Sequence, residues 1–244
     1  MAKKLYIRHA TPADEQAVFR FYAENPHEFV CERDHDVWRE RLSAGAVTLV
    51  ENEDGKIVAA AISYPVCVRD ENGQSVHMWS ELGSMRIILE GVGLFKAVLS
   101  MQVMQGYLLE PPEDRFAIEV IIGNDHSMHV FEREGATPYV IPQALEEKVS
   151  YSISPDDPNL PVRWFQLGVE HMPQFARNIE ALQANPVLRN KQTGEEYELD
   201  FSRCALVTQF GAALKALAGS DYGDPQKPNM KHGAKAFRDK FRPE

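Results

Sequence analysis

Residues 78–109 read MWSELGSMRIILEGVGLFKAVLSMQVMQGYLL. A β-type apolar run passes through Gly91-Val92-Gly93 straight into a helical pattern, in which Leu94, Ala97, Val98, Met101, Met104 and Leu108 recur at spacings of three and four and share one buried face. Glycines at such a junction let the backbone approach an anion with no side chain between, and the first-turn N–H groups and the helix dipole favour negative charge there. The junction reads either as a tight structural turn or as a pyrophosphate-binding loop. Lys96 stands where a dinucleotide fingerprint needs its third glycine, and no Gly-Lys-Ser/Thr ending marks a P-loop, so the common nucleotide-binding motifs are excluded.

The flanking segments supply a succession of strands and helices. Tyr6 to Asp14 predicts a strand and a cap, Thr11 or Asp14, for a helix carrying Ala17, Val18, Phe21 and Tyr22. Ala46–Val50 and Ile57–Val66, joined by an acidic Gly55-containing turn, form a hairpin, and a second turn at 69–73 leads into a strand over Val76–Leu89. Beyond the long helix, Phe116–Ile122 is an apolar run broken only by Glu119, the pattern of a strand buried on both faces. Asn124 or Asp125 then caps a helix that Gly135 ends, and Tyr139–Ile141 with Lys148–Ile153 predict a closing hairpin.

In this order of elements, and in two motifs, residues 5–153 resemble the GNAT superfamily of acyl-CoA-dependent N-acyltransferases. The motifs are the Gly91-Val92-Gly93 junction and the segment with Asn124, Phe131 and Gly135 at the family's spacing. The resemblance implies an α/β fold of mixed α+β character: a central mixed sheet flanked by helices, its fourth and fifth strands splayed around the cofactor, here followed by a small α+β C-terminal extension. It implies acetyl-CoA or another acyl-CoA as co-substrate, an amine-bearing small molecule or peptide as acceptor, and direct attack without a covalent enzyme intermediate. By the same resemblance, N–H groups around Met85, Arg86 and Ile87 face the acyl carbonyl, and those of Glu90, Gly91, Val92, Gly93 and Leu94 face the pyrophosphate. Asn124 and Phe131 complete the expected cofactor-binding set, and Glu81 takes the place of the carboxylate that removes the amine proton.

Three positions depart from the family pattern: Ile88 replaces Gln or Arg, Glu90 brings a carboxylate to the loop, and Phe131 replaces the Tyr that protonates the leaving thiolate. Tyr139, Ser127, His129 or water would then supply that proton, or the thiolate, a weak base, would leave without protonation by the enzyme. A catalytically degenerate relative that binds CoA or a protein partner is the alternative reading, and an unrelated α/β binding protein is a third, separable by strand order. His126 and His129, three apart, share a helix face, but two ligands do not make a metal site. Asp34-His35-Asp36 reads as a helix cap, so no metal is expected.

The 244 residues carry 44% hydrophobic residues and a formal charge of −10, the composition of a globular protein without the basic face that nucleic-acid binding requires. No apolar run is long enough to cross a membrane, and three widely spaced cysteines predict reduced thiols, so a cytoplasmic protein is expected. A Pro-rich cluster from Ser154 predicts three parts: a GNAT-like domain over 1–154, the extension over 155–219 and a mobile, mildly basic tail over 220–244. In the extension Val162–Leu167 predicts a strand, Pro173–Leu182 a helix, and Asn190–Gly194 a break between two short extended pieces. The last helix, within Ser202–Ala218, turns Leu206, Phe210, Leu214 and Leu217 inward, so its apolar face is expected to shape the acceptor side or a homodimer interface.

Overall fold

The computed structural model describes residues 2–30, 34–69, 72, 75–109, 115–140 and 161–220. Cys31, most of the 69–73 turn, the expected strand Lys148–Ile153, the Pro-rich cluster from Ser154 and the basic tail fall outside them, as do the side chains of Cys67 and Trp79. Among the described residues nine strands form one mixed sheet: β1 Lys3–His9, β2 Val47–Asn52, β3 Ile57–Arg69, β4 Ser75–Ile87, β5 Arg115–Ile121, β6 Thr137–Pro138, β7 Val162–Gly168, β8 Val187–Arg189 and β9 Glu196–Asp200. Across the sheet the order is β6-β7-β5-β4-β3-β2-β1-β9-β8. This is the mixed α/β architecture that the resemblance implied.

Alternation along the strands divides two cores. Val47, Leu49, Ala60, Ile62 and Tyr64 face α1 (Glu15–Glu24) and α2 (His35–Ser43), meeting Val18, Phe21, Trp38 and Leu42. Their neighbours Val50, Ala59 and Ala61 face the opposite layer of α3 (Leu94–Leu109), α4 (Asp125–Arg133), α5 (Met172–Ala184) and α6 (Ala205–Ala218). The Asp34 carboxylate caps α2 by accepting from the Asp36 N–H, as the sequence indicated. Arg8 of β1 bridges Asp14 and Glu51, pinning the entry of α1 to the sheet and holding the Asp14 carboxyl down to about 2.

Two sequence expectations change. The helix α3 is not amphipathic in place: beside the expected apolar face, Leu99, Ser100, Gln102, Val103 and Gln105 are also buried. Its outward side is covered by α5, where the Asn178 amide donates to Ser100 Oγ at 3.3 Å. The strand Lys148–Ile153 of the expected closing hairpin lies outside the described residues. The partner of Thr137–Pro138 is Val162–Gly168, which pairs antiparallel with β5 over seven residues and so belongs to the main sheet, although it lies beyond the boundary expected at 154.

The rest of the extension is built into the same body. Strand β9 runs parallel to β1 from Lys3↔Tyr197 to Tyr6↔Asp200 and carries the sheet on to β8. Leu206, Phe210, Leu214 and Leu217 of α6 are buried against α5 and β1 within the chain, so the apolar face that was expected to need an acceptor site or a second copy is covered in cis. Cys204, at the start of α6, is a buried free cysteine whose thiol is pushed up by burial.

Candidate functional site

Strands β4 and β5 are parallel neighbours at only two positions, Ser80↔Phe116 and Glu81↔Ala117. Beyond these β4 keeps its pairing with β3 and β5 with β7, so the two diverge and their facing backbone groups lose a strand partner. A cleft of about 750 Å³ occupies the fork. One wall is Glu81–Ile87 of β4, the other is Glu119–Ile121 with Asn124, His126, Ser127 and Phe131 of α4, and the far end is Glu90, Gly91, Gly93 and Leu94.

A bulge in β4 sets the opening. Pairing with β3 jumps from Ala60↔Arg86 to Ile62↔Gly83, leaving Ser84 and Met85 opposite the single residue Ala61. Ser84 has φ of 46°, an unfavourable conformation for a residue with a side chain. Two tyrosines hold it there. Tyr22 of α1 donates its hydroxyl to the Ser84 carbonyl at 2.6 Å, and the Tyr64 hydroxyl pairs with Ser84 Oγ at 3.0 Å. From the opposite layer the buried Gln102 amide donates to the Ile62 carbonyl at 2.6 Å, satisfying a backbone group beside the bulge. Ser84, Tyr22 and Gln102 were missed in the sequence; the available signal was Gly83-Ser84 interrupting a strand pattern.

The expected site residues divide into two groups. Glu81, Met85, Arg86, Ile87, Glu90, Gly91, Gly93, Leu94, Asn124 and Phe131 all line the one cleft. Val92 is buried beneath the loop. The remaining two lie outside the cleft lining: His129 is exposed on α4, and Tyr139 sits under the Arg115 guanidinium, 5.0 Å from its ring centroid, with its backbone bonded to Trp164. Among the expected proton donors, Ser127 is the one that lines the cleft, since α4 turns its first-turn residues toward β5 while His129 points away. Trp38 and Tyr64 are core residues on the α1–α2 side of the sheet.

Glu81, 2% exposed, stands at the apex of the fork, and its carboxylate lies over Gly83, where a Cβ would come within 2.8 Å of Oε1. Arg86 forms no ion pair with Glu90; its guanidinium donates to the carbonyls of Asn25 and Ile87, both at 3.1 Å. Asn124 caps α4 by accepting from the Ser127 N–H at 3.2 Å. Phe131 packs edge-on against Phe95, ring centroids 5.5 Å apart, and offers no proton. Gly91 and Gly93 have φ of 75° and 83°. Nothing lies within 4 Å of a Cβ built on Gly93, so this residue presents bare backbone to the cleft at the start of α3, a cradle of the kind a phosphate group fits. Among the described residues no cluster of three or more His, Cys, Asp or Glu is arranged to hold a metal, and no helix is long and apolar enough to cross a membrane.

No protein-family model matches the sequence, and no curated protein matches it. Solved structures do resemble it. A GNAT-family acetyltransferase from Streptococcus pneumoniae is 15% identical, the alignment covering 68% of this chain and 99% of the other, with a TM-score of 0.46. Arabidopsis thaliana NAA60, solved in complex with acetyl-CoA, is 9% identical over 68% of this chain and 98% of the other, with a TM-score of 0.48. A ribosomal-protein-alanine N-acetyltransferase from Brucella melitensis is 20% identical over 67% and 99%, with a TM-score of 0.46. These similarities extend over about two thirds of this chain.

Proposed function

We propose that the protein is an N-acyltransferase that moves an acetyl or other acyl group from its CoA thioester to an amine. The observation that carries this reading is the fork itself: two parallel strands that part after Glu81 and Ala117 open a cleft ending at bare backbone on the first turn of α3. An extended pantetheine arm fits the unpaired edge of β4, and the pyrophosphate fits the Gly91–Leu94 turn. The amine nitrogen attacks the thioester carbonyl carbon, the carbon–sulfur bond breaks, and the thiolate leaves. Glu81 accepts the amine proton, directly or through water, and the thiolate, a weak base, leaves as the anion and takes up a proton from solvent afterwards. Backbone N–H groups at the bulge stabilise the oxyanion.

Calorimetry with acetyl-CoA, followed by thiol release with a panel of primary amines and peptides, tests the proposal. Saturable binding and amine-dependent release are expected, and Glu81→Gln should lower turnover about a hundredfold or more with little change in acetyl-CoA affinity. No saturable binding at millimolar acetyl-CoA sinks the reading. Phe131, packed against Phe95 where a hydroxyl would serve, favours a second reading in which CoA is bound without transfer. Binding with no release on any amine, unchanged in Phe131→Tyr, would select it.

A further inference from the structure

We propose that Lys191, on the turn between β8 and β9, is the cation that binds the pyrophosphate of acyl-CoA, so that the phosphate end of the cleft is built jointly by the Glu90–Leu94 loop and the C-terminal extension. This rests on the N-acyltransferase reading and adds to it a residue that lies outside the segment resembling the family. A doubly charged pyrophosphate in this cleft meets four carboxylates along the lining, Glu28, Glu81, Glu90 and Glu119, and only two residues with permanent positive charge, Arg86 and Lys191. Arg86 is committed to the carbonyls of Asn25 and Ile87. Lys191 is exposed and, among the described residues, forms no ion pair, so its ammonium is available.

The turn is fastened to the loop. The Lys191 N–H donates to the Gly91 carbonyl at 3.1 Å, and the Asn190 amide donates to the Glu90 carbonyl at 2.9 Å. Asn190 is itself buried, its Oδ1 accepting from the N–H groups of Gln192 and Thr193. Lys191 is thereby held one hydrogen bond from the glycine that opens the α3 junction. A lysine serves here as a point charge, which suits a pyrophosphate whose oxygens are already met by backbone N–H groups.

The test is calorimetry on the full chain with CoA and with dephospho-CoA, at low and moderate salt. Lys191→Ala is expected to weaken binding of both ligands about tenfold and to flatten the salt dependence, because a charge-assisted phosphate contact is lost. Lys191→Arg should restore affinity to within about threefold of the parent, the charge being retained. Unfolding should be unchanged in both variants, since the side chain makes no contact that the fold uses. Parent-like affinity of Lys191→Ala for both ligands would overturn the proposal. So would a loss for CoA alone, which would place Lys191 on the ribose 3′-phosphate. If the parent protein binds neither ligand, the N-acyltransferase reading fails first and this inference with it.

Discussion

Gly91 and Gly93 occupy the same region of backbone space yet should fail differently when replaced by alanine. Either substitution places a side chain at positive φ, costing about 1–2 kcal/mol. At Gly93 the added methyl meets nothing within 4 Å and projects into open cleft. At Gly91 it lies 3.1 Å from Asn190 Oδ1 and 3.4 Å from Cγ and Nδ2. Asn190 cannot swing aside without loosening its bonds to the Glu90 carbonyl and to the N–H groups of Gln192 and Thr193, each worth about 1 kcal/mol. Gly91→Ala should therefore destabilise by about 3 kcal/mol and lower Tm by about 6–12 °C, whereas Gly93→Ala should lose only the backbone share, about half of that. Binding should follow a different order: Gly93→Ala, though the more stable, should still weaken acetyl-CoA at least about tenfold by keeping the phosphate off the backbone. Urea unfolding and calorimetry on the same preparations decide the matter. A Gly93→Ala protein with parent affinity, or one less stable than Gly91→Ala, would refute the reasoning.

Gly83→Ala would set a Cβ 2.8 Å from Glu81 Oε1 and 3.3 Å from Tyr64 Cε2. It should displace the carboxylate and lower turnover about as far as Glu81→Gln, roughly a hundredfold, while acetyl-CoA affinity holds; parent turnover would show that the Glu81 position is immaterial. The His9 ring is half-buried with Nε2 sealed from solvent and unbonded, and burial lowers its pKa to about 4 from an ordinary 6.5. The unfolded chain therefore binds the extra proton between these values, so stability is full above pH 6.5 and falls by up to about 3 kcal/mol as pH drops through 4. A pH series of unfolding midpoints on the parent and His9→Asn should show that slope only in the parent, and equal slopes would remove His9 as its source.

The fold was legible where one residue type forces one backbone choice. The Gly91 and Gly93 junction, the Asn124 cap and the apolar strand runs of β2, β3 and β5 each declare themselves within a few residues, because cap chemistry and turn-bounded apolar runs are local. The bulge at Ser84 was not legible, since a serine has no intrinsic reason to adopt φ of 46°; what fixes it are hydroxyls from Tyr22 and Tyr64, 62 and 20 residues away. Nor was the full burial of α3, whose polar Ser100 meets Asn178 of α5 and whose Gln105 accepts from the Thr48 hydroxyl of β2. Candidate site residues followed the same division. Positions on β4 and in the loop fell into one cleft, whereas His129 and Tyr139 were singled out for chemistry alone and sit on faces turned away from it.

The loop at the end of the fork has a specific need for outside support. Two residues at positive φ within three positions, one of them followed at once by a helix, leave the carbonyls of Glu90 and Gly91 pointing away from α3 with no partner in their own segment. In this chain the bonds come from Asn190 and Lys191, a hundred residues on, on a turn held in place because β9 pairs in parallel with β1. Strand β8 lies at the opposite side of the sheet from β7, and the chain passes between them through α5, the same helix that covers the outward side of α3. One connection therefore shields the helix whose first turn faces the cleft and delivers the turn that braces the loop before it. The extension and the cleft share this packing, so Asn178→Ala, which removes the bond from α5 to Ser100 of α3, should weaken acetyl-CoA binding in calorimetry, and parent affinity would show that the two are not coupled.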